Sequence, residues 1–510
     1  MCERSPNPRG WAMVALLVLI TRGALPAAAQ SGPWLGLQLP PGPGDPHAPP
    51  VQIPEGLSPP PASGSEGAAP ALQGERIRRD LERIIGFSIE SREAGDRMWG
   101  RITGRPALQR TAEWVAQRFR EIGLEEVEVQ TYDSTEEMWW ASDWEVRVIG
   151  NEIYGPGSGD ILLESALPTS GSEVAGAIDA PLVHAGIVGE EPDPSVDVRG
   201  KAAVQLLRPE RGAFSARGGT VAAAQALFER GAVAVINAIE QPGNMHVRDF
   251  GNCGGTCFNV GGGDAAFLMG LLERAAAAGL PEPRLHLALE TETLTNLRGQ
   301  NAVGKIRGDS DEIVIVNAHA DGWFDAAGDN GDGLAVLIAL AAFFAEPPNR
   351  PARTLVFVAS GGHHSRGMNG PTHFVRMNPD IGERTRIVVN LEHVAQLALD
   401  TRSARFQPTE QPMSFGISNQ APYLIEVASR ARERSGMRLN PTFPATVPGD
   451  LGGYAPLGVP RVQAIHAGPL YHTSGDVLET ISIPGLERAA RFFADFIAEV
   501  ARAPGDALDP

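Results

Sequence analysis

The chain has 510 residues, 43% of them hydrophobic, and a formal net charge of −18 at pH 7. That length exceeds what one hydrophobic core usually organises, so two or more domains are expected. The acidic balance argues against a nucleic-acid partner, because phosphate contacts need clustered Lys and Arg.

Met1 to Ala29 reads as an export signal. Arg4 and Arg9 give a weak positive start, Trp11 to Ile20 is an apolar run too short to span a bilayer well, and Ala27-Ala28-Ala29 is a small-residue cleavage site. An uncleaved membrane anchor is the competing reading. No other segment approaches a transmembrane span, and a secreted or periplasmic location is expected. Cys2 would leave with the signal. Cys253 and Cys257 remain in a Gly-rich loop, where an oxidising compartment favours a short-loop disulfide. Two cysteines alone give weak support for a structural zinc site.

Residues 30–74 are dense in Pro, Gly, Ala and Ser and read as a disordered linker. Order is expected from Glu75. Leu81, Ile84 and Ile85 form a helical stripe. Leu108, Ala112, Val115, Phe119 and Ile122 form a clearer one, stopped by Gly123. Val127, Val129 and Thr131 alternate with polar residues as a strand. The texture changes over 177–292. Ala202 to Leu207 and Val233 to Ile236 read as short strands, and Val221 to Arg230 as an Ala-rich helix. Pro181-Leu182-Val183, Asp197-Val198-Arg199-Gly200-Lys201-Ala202 and Gly231-Ala232-Val233-Ala234-Val235-Ile236 resemble the protease-associated (PA) domain. Such a resemblance implies a lid or substrate-shaping insertion; a plain structural insertion is the alternative.

After Asn301 strands alternate with helices. Ile313 to Val316, Leu355 to Val358 and Ile387 to Val389 are apolar strands, Leu334 to Phe344 is an apolar helix, and Phe492, Phe493, Phe496, Ile497 and Val500 face a closing helix. This pattern implies an α/β fold with a mostly parallel sheet flanked by helices. Polar residues follow the strands at once. His319 and Asp321 follow the first, with Gly328-Asp329-Asn330 ten residues after the histidine. Gly362-His363-His364 follows the second and Glu392-His393 the third, and Tyr471-His472-Thr473 comes near the end. Ligands of open α/β sheets bind at the carboxyl ends of the strands. Imidazole with carboxylate suits zinc, and two ions about 3.5–4 Å apart can share a bridging carboxylate.

His319-Ala320-Asp321, Gly328-Asp329-Asn330-Gly331, Asn390-Leu391-Glu392 and Tyr471-His472-Thr473 resemble the co-catalytic zinc aminopeptidases of clan MH. That group includes the glutamate carboxypeptidases and the transferrin-receptor ectodomain. The likeness is to the form carrying an inserted PA domain. It implies peptidase-domain segments at 75–176 and 293–505 flanking the PA block at 177–292. It further implies that His319 and Glu392 hold one zinc, that His364 and His472 hold a second, and that Asp329 bridges the two. Asp321 would hydrogen-bond His319 and fix its tautomer. His363 would be the general base for a peptide substrate.

Two departures stand out. The family has Glu-Glu where this chain has His363-His364, and Asp where it has Glu392. Glu392 keeps the carboxylate. His364 remains a good zinc ligand but removes a negative charge, which weakens the second ion. His363 can act as a base near neutral pH, although nearby zinc disfavours its protonated form. Three readings follow: an active peptidase with a rewired base (His363 or His393), a metal-binding protein with little activity, and an inactive relative used for binding. An aminopeptidase is expected over a carboxypeptidase. Arg366 and Asp450 are suspects for the substrate terminus.

Overall fold

The computed structural model describes residues 69–509 apart from 152–158, 192, 209–219, 242, 249–252, 401–404, 466–467 and 469. The expected signal, Cys2 and most of the expected linker lie outside the described residues.

Seven strands form a mixed sheet in the order Ser414–Ile417, Arg461–Ile465, Thr385–Leu391, Ser310–His319, Arg353–Ser360, Arg298–Ile306, Glu125–Asp133. Four neighbours in its middle run parallel: Arg461–Ile465, Thr385–Leu391, Ser310–His319 and Arg353–Ser360. These strands are covered on both faces, which is why they read as unbroken apolar runs. Every residue of Arg353–Ser360 is buried. On one face Val314, Val316, Leu355, Phe357 and Val389 pack against the helices Gly74–Glu93, Pro106–Ile122, Asp332–Ala345 and Ile483–Arg502. On the other, Ile313, Ile315, Val356 and Val388 meet Phe374, Ile381 and Tyr454. The α/β architecture expected from sequence is therefore present.

The helix ends follow local rules. Pro106–Ile122 starts with proline in its first turn, where no backbone donor is missed. It ends at Gly123, whose φ of 97° lets its N–H reach back to Phe119 and Arg120 carbonyls. Ile483–Arg502 is capped by the Ser482 hydroxyl, which accepts from Gly485 N–H. Its Phe492 and Phe496 pack around Phe415 of the sheet's edge strand.

A second, eight-stranded sheet is inserted between two neighbouring strands of the first. Asp133 pairs with Arg298, so the chain leaves and re-enters the first sheet at one place. The sequence set the start of this block at 177; the strands set it earlier. Met138–Ile149 pairs along the whole of Arg284–Leu294, and Ile161–Leu162 and Leu167–Pro168 belong to the same sheet. Its core includes Trp140, Val146, Leu182, Ile236, Phe258 and Leu287. That core runs on into Trp99, Trp323 and Phe324, next to the His319 strand end. Cys253 and Cys257 form a disulfide, with Cα atoms 6.6 Å apart.

Candidate metal centre

The carboxyl ends of the four parallel strands bring the expected residues together. His319 is the last residue of its strand and is fully buried. Its Nδ1 donates to the Asp321 main-chain carbonyl at 3.0 Å, which fixes the proton there and turns Nε2 inward. The Asp321 carboxylate stands at 3.6 Å from the same nitrogen, beyond hydrogen-bond range. It accepts instead from the main-chain N–H of His363 at 3.2 Å and of His364 at 3.0 Å. The resemblance implied that Asp321 would hydrogen-bond His319; in the structure its main-chain carbonyl makes that bond, while its carboxylate holds the His363–His364 loop.

Asp329 stands at the centre. Its Oδ1 lies 3.4 Å from His319 Nε2 and 3.8 Å from His393 Nε2. Its Oδ2 lies 3.3 Å from His364 Nε2 and 3.2 Å from His472 Nε2. Neither carboxylate oxygen has a hydrogen-bond partner, and nor does His319 Nε2. A buried carboxylate left without donors costs several kcal/mol, on the order of 1–3 or more. A divalent cation held by these oxygens and nitrogens would remove that cost, and the donor set fits zinc. Beneath, Asp476 accepts from Gly328 N–H at 2.8 Å, Asp329 N–H at 3.0 Å and Gln396 Nε2 at 2.8 Å. Burial pushes the Asp476 carboxyl up to about 7, against the pull of those N–H donors.

Glu392 directs Oε1 into the site, 4.0 Å from His319 Nε2 and 3.6 Å from the Nε2 atoms of His363 and His393. Its Oε2 accepts from Asn390 at 3.0 Å. Burial raises its carboxyl to about 7 although His363 and His319 draw it down. His472 and His393 are both pushed down to about 3 by burial, so both are neutral and offer lone pairs near pH 7.

One partner was missed as such. Asp450 is fully buried and its Oδ1 lies 2.9 Å from His363 Nδ1. Its Oδ2 accepts from Asn317 at 3.2 Å and from Ser360 at 3.3 Å. Both oxygens are occupied inside, which leaves none for a substrate amine. Burial opposes charge on His363, but Asp450 and Glu392 outweigh it and hold the imidazole well above its ordinary range. The adjoining Gly449, at φ 68°, lets the Asp450 loop pass close to His363; an added Cβ there would come 3.1 Å from His363 Cε1. Arg366, the other suspect, is exposed.

Residues 301–497 match the model of peptidase family M28. The match bears out the resemblance to clan MH zinc peptidases over this region. Most of the chain is also similar in fold to solved peptidase structures. A Peptidase M28 precursor from Shewanella amazonensis aligns with a TM-score of 0.58 at 18% identity, over 84% of this chain and 98% of that one. A zinc aminopeptidase from Bacillus subtilis aligns with a TM-score of 0.57 at 21% identity, over 86% and 98%. At such identities the likeness is one of fold. A vacuolar membrane protease from Leptosphaeria maculans is 31% identical over 133 residues, 23% of this chain. That stretch takes in only 16% of the fungal protein's length. The M28 region contains every sequence-predicted ligand, His319, Asp329, His364, Glu392 and His472, together with Asp321 and His363.

Proposed function

We propose that this chain is an exported zinc-dependent exopeptidase that removes residues from the amino end of peptides, with His363 in place of the usual glutamate base. One observation carries the reading. Both oxygens of buried Asp329 lack hydrogen-bond partners, and each faces imidazole nitrogens at 3.2–3.4 Å. A chain kept only as a binding scaffold gains nothing from such a cluster, which is costly without cations. The amino end is preferred because the structures similar in fold include a zinc aminopeptidase from Bacillus subtilis and an aminopeptidase from Aneurinibacillus. The disulfide at Cys253–Cys257 agrees with an oxidising compartment outside the cytosol.

His319, Asp329 and Glu392 would hold one zinc, and Asp329, His364 and His472 the other. When bound, the ions polarise the scissile carbonyl and acidify water. The chain's own residues then handle the proton. Asp450 holds the Nδ1–H of His363, and cations bound beside the ring would counter the charge that Asp450 and Glu392 favour there, freeing Nε2 to accept a proton. His363 Nε2 takes a proton from the attacking water and returns it to the leaving amine, as base and then acid. Burial in a site closed by the strand ends strengthens each of these electrostatic contacts.

The test is zinc content by elemental analysis beside hydrolysis of aminoacyl-nitroanilides, with and without chelator. Bound zinc with chelator-sensitive release of the aminoacyl group is expected. A protein that takes up no zinc, or that hydrolyses equally well after complete stripping, sinks the proposal. Zinc uptake without turnover of any peptide would retain the metal site and end the enzymatic reading.

A further inference from the structure

His393 takes no part in the reaction described above, yet it is placed with care. It follows Glu392 directly and is 3% exposed. Its Nε2 lies 3.8 Å from Asp329 Oδ1 and 3.6 Å from Glu392 Oε1. Its backbone sits at φ 55°, as does that of the ligand candidate His472 at φ 56°. A residue with a Cβ carries strain there, and such strain survives where the surroundings over-determine it. Here they do. The His393 N–H donates to Asn330 Oδ1 at 3.2 Å, and Asn330 Nδ2 in turn donates to the Leu391 carbonyl at 2.9 Å. The bend that turns His393 inward is thereby locked to the loop that carries Asp329.

The two sides of Asp329 are consequently unequal. On the Oδ2 side stand three donors: Asp329 Oδ2, His364 Nε2 and His472 Nε2. They are separated by 3.3, 3.2 and 3.2 Å. Ligands about 2.0–2.1 Å from a tetrahedral zinc stand about 3.3–3.4 Å apart, so this triad supplies three corners. No fourth acidic or imidazole donor joins this triad among the described residues. On the Oδ1 side, His319 Nε2, Asp329 Oδ1 and Glu392 Oε1 already make three, and His393 Nε2 makes a fourth. His319 Nε2 lies 3.4 Å from Asp329 Oδ1 and 4.0 Å from Glu392 Oε1, and His393 Nε2 lies 3.8 and 3.6 Å from the same two oxygens, a wider ring that a cation would have to draw in. His363 Nε2 borders this side as well, 3.6 Å from Glu392 Oε1, and in the reading above it is the group that takes the proton of the attacking water.

We propose that His393 is a fourth protein ligand on the His319 side of Asp329, making that position a closed, tightly held zinc site and leaving the His364–His472 position as the open one where water and substrate exchange. Four protein ligands are the mark of zinc sites that hold structure, and three with an open corner the mark of those that react. The inference rests on the zinc reading of the centre, and its test separates the two.

The experiment compares wild type, His393→Asn and His472→Asn. Asparagine tolerates the left-handed backbone at both positions while removing the imidazole. Each protein is loaded with zinc and dialysed against chelators of graded strength; bound zinc is counted and folding followed by circular dichroism. Wild type is expected to lose one zinc readily and keep the other. H472N should lack the labile ion and keep the tight one. H393N should lose the tight ion at least tenfold more easily. If H393N keeps its tight zinc as wild type does, His393 is no ligand and the proposal falls. If wild type takes up no zinc, the zinc reading falls as well. Should H393N fail to fold, X-ray absorption on H472N loaded with one zinc decides: two imidazoles on the ion support the assignment, and one overturns it.

Discussion

At His363 the substitution of an imidazole for a carboxylate base comes with a partner, Asp450 at 2.9 Å. A lone imidazole beside two cations would hold a proton poorly; a buried carboxylate on its far nitrogen restores basicity and fixes the tautomer. His363→Ala should therefore cost turnover by about 10²–10⁴-fold, the worth of general base catalysis, while leaving zinc content unchanged. Asp450→Asn should lower kcat with KM nearly constant, since Asp450 touches no substrate. Unchanged kcat in both variants would move the base elsewhere. Asp476 makes a separate prediction for the zinc-stripped protein. Its carboxyl is raised by burial to about 7 against 3.8 for the free group. The folded form thus binds the proton more tightly, so the stability it contributes is complete below about pH 4 and is lost as pH rises through about 7. The stability of wild type relative to Asp476→Asn, read from urea midpoints, should fall over that window by up to about 4 kcal/mol. A flat difference would show that Asp476 titrates normally. The candidate ligand histidines could be read from the chain because each follows a buried apolar strand or a Gly-rich turn. Asp450 could not be read as the partner of His363, because 87 residues separate them and no local pattern joins them.

Elements explain why the ligands converge. Four parallel strands end on one edge of the sheet, and the loops leaving those ends carry His319, His363–His364, Glu392 and His472. Apolar runs between charged flanks made the strands legible, and their parallel order followed from the alternation with helices. The loop after Ser360 depends on Gly362. At φ 77° it adopts a backbone that side chains resist, and an added Cβ would fall 1.6 Å from the Met368 carbonyl oxygen. Gly362→Ala should displace the loop, cost about 2 kcal/mol or more in denaturant unfolding, and weaken the zinc held through His364. If the variant unfolds and binds zinc as wild type does, the loop is not the rigid support drawn here. Met138–Ile149 shows where sequence reading stopped. Only its second half, Trp144–Ile149, alternates between buried and partly buried residues, and the sequence analysis named no strand there. Which sheet it joins depends on Arg284–Leu294, well over a hundred residues on, and only pairing decides that.

Across the whole molecule, the inserted unit is tied to the centre rather than hung beside it. Arg248 N–H donates to the His472 carbonyl at 2.8 Å, Val247 bridges Thr473, and His246 N–H donates to Ser474 Oγ at 3.0 Å. Trp140 of the insertion stacks on Trp323, just beyond Asp321, with ring centroids 6.4 Å apart. With zinc held as proposed, the segment bearing His472 would have two anchors, the ion and the insertion. Binding an ion on one side of a hydrogen-bonded pair of segments lowers the frequency with which the pair opens, because opening must then also release the ion. Zinc at a hundred times its dissociation constant adds about 2.7 kcal/mol to any opening that exposes its ligands. The amide of Arg248 reports on this directly, since its acceptor is the carbonyl of a ligand residue. Adding zinc to stripped protein should slow exchange at that amide by about a hundredfold if opening of this pair releases the ion. Amides in the far strands of the insertion, such as Ala202–Leu207, should be unaffected. Were Arg248 to exchange at the same rate with and without zinc, the insertion would be structurally adjacent to the centre but energetically separate from it. It could not then act on the peptide site through His472.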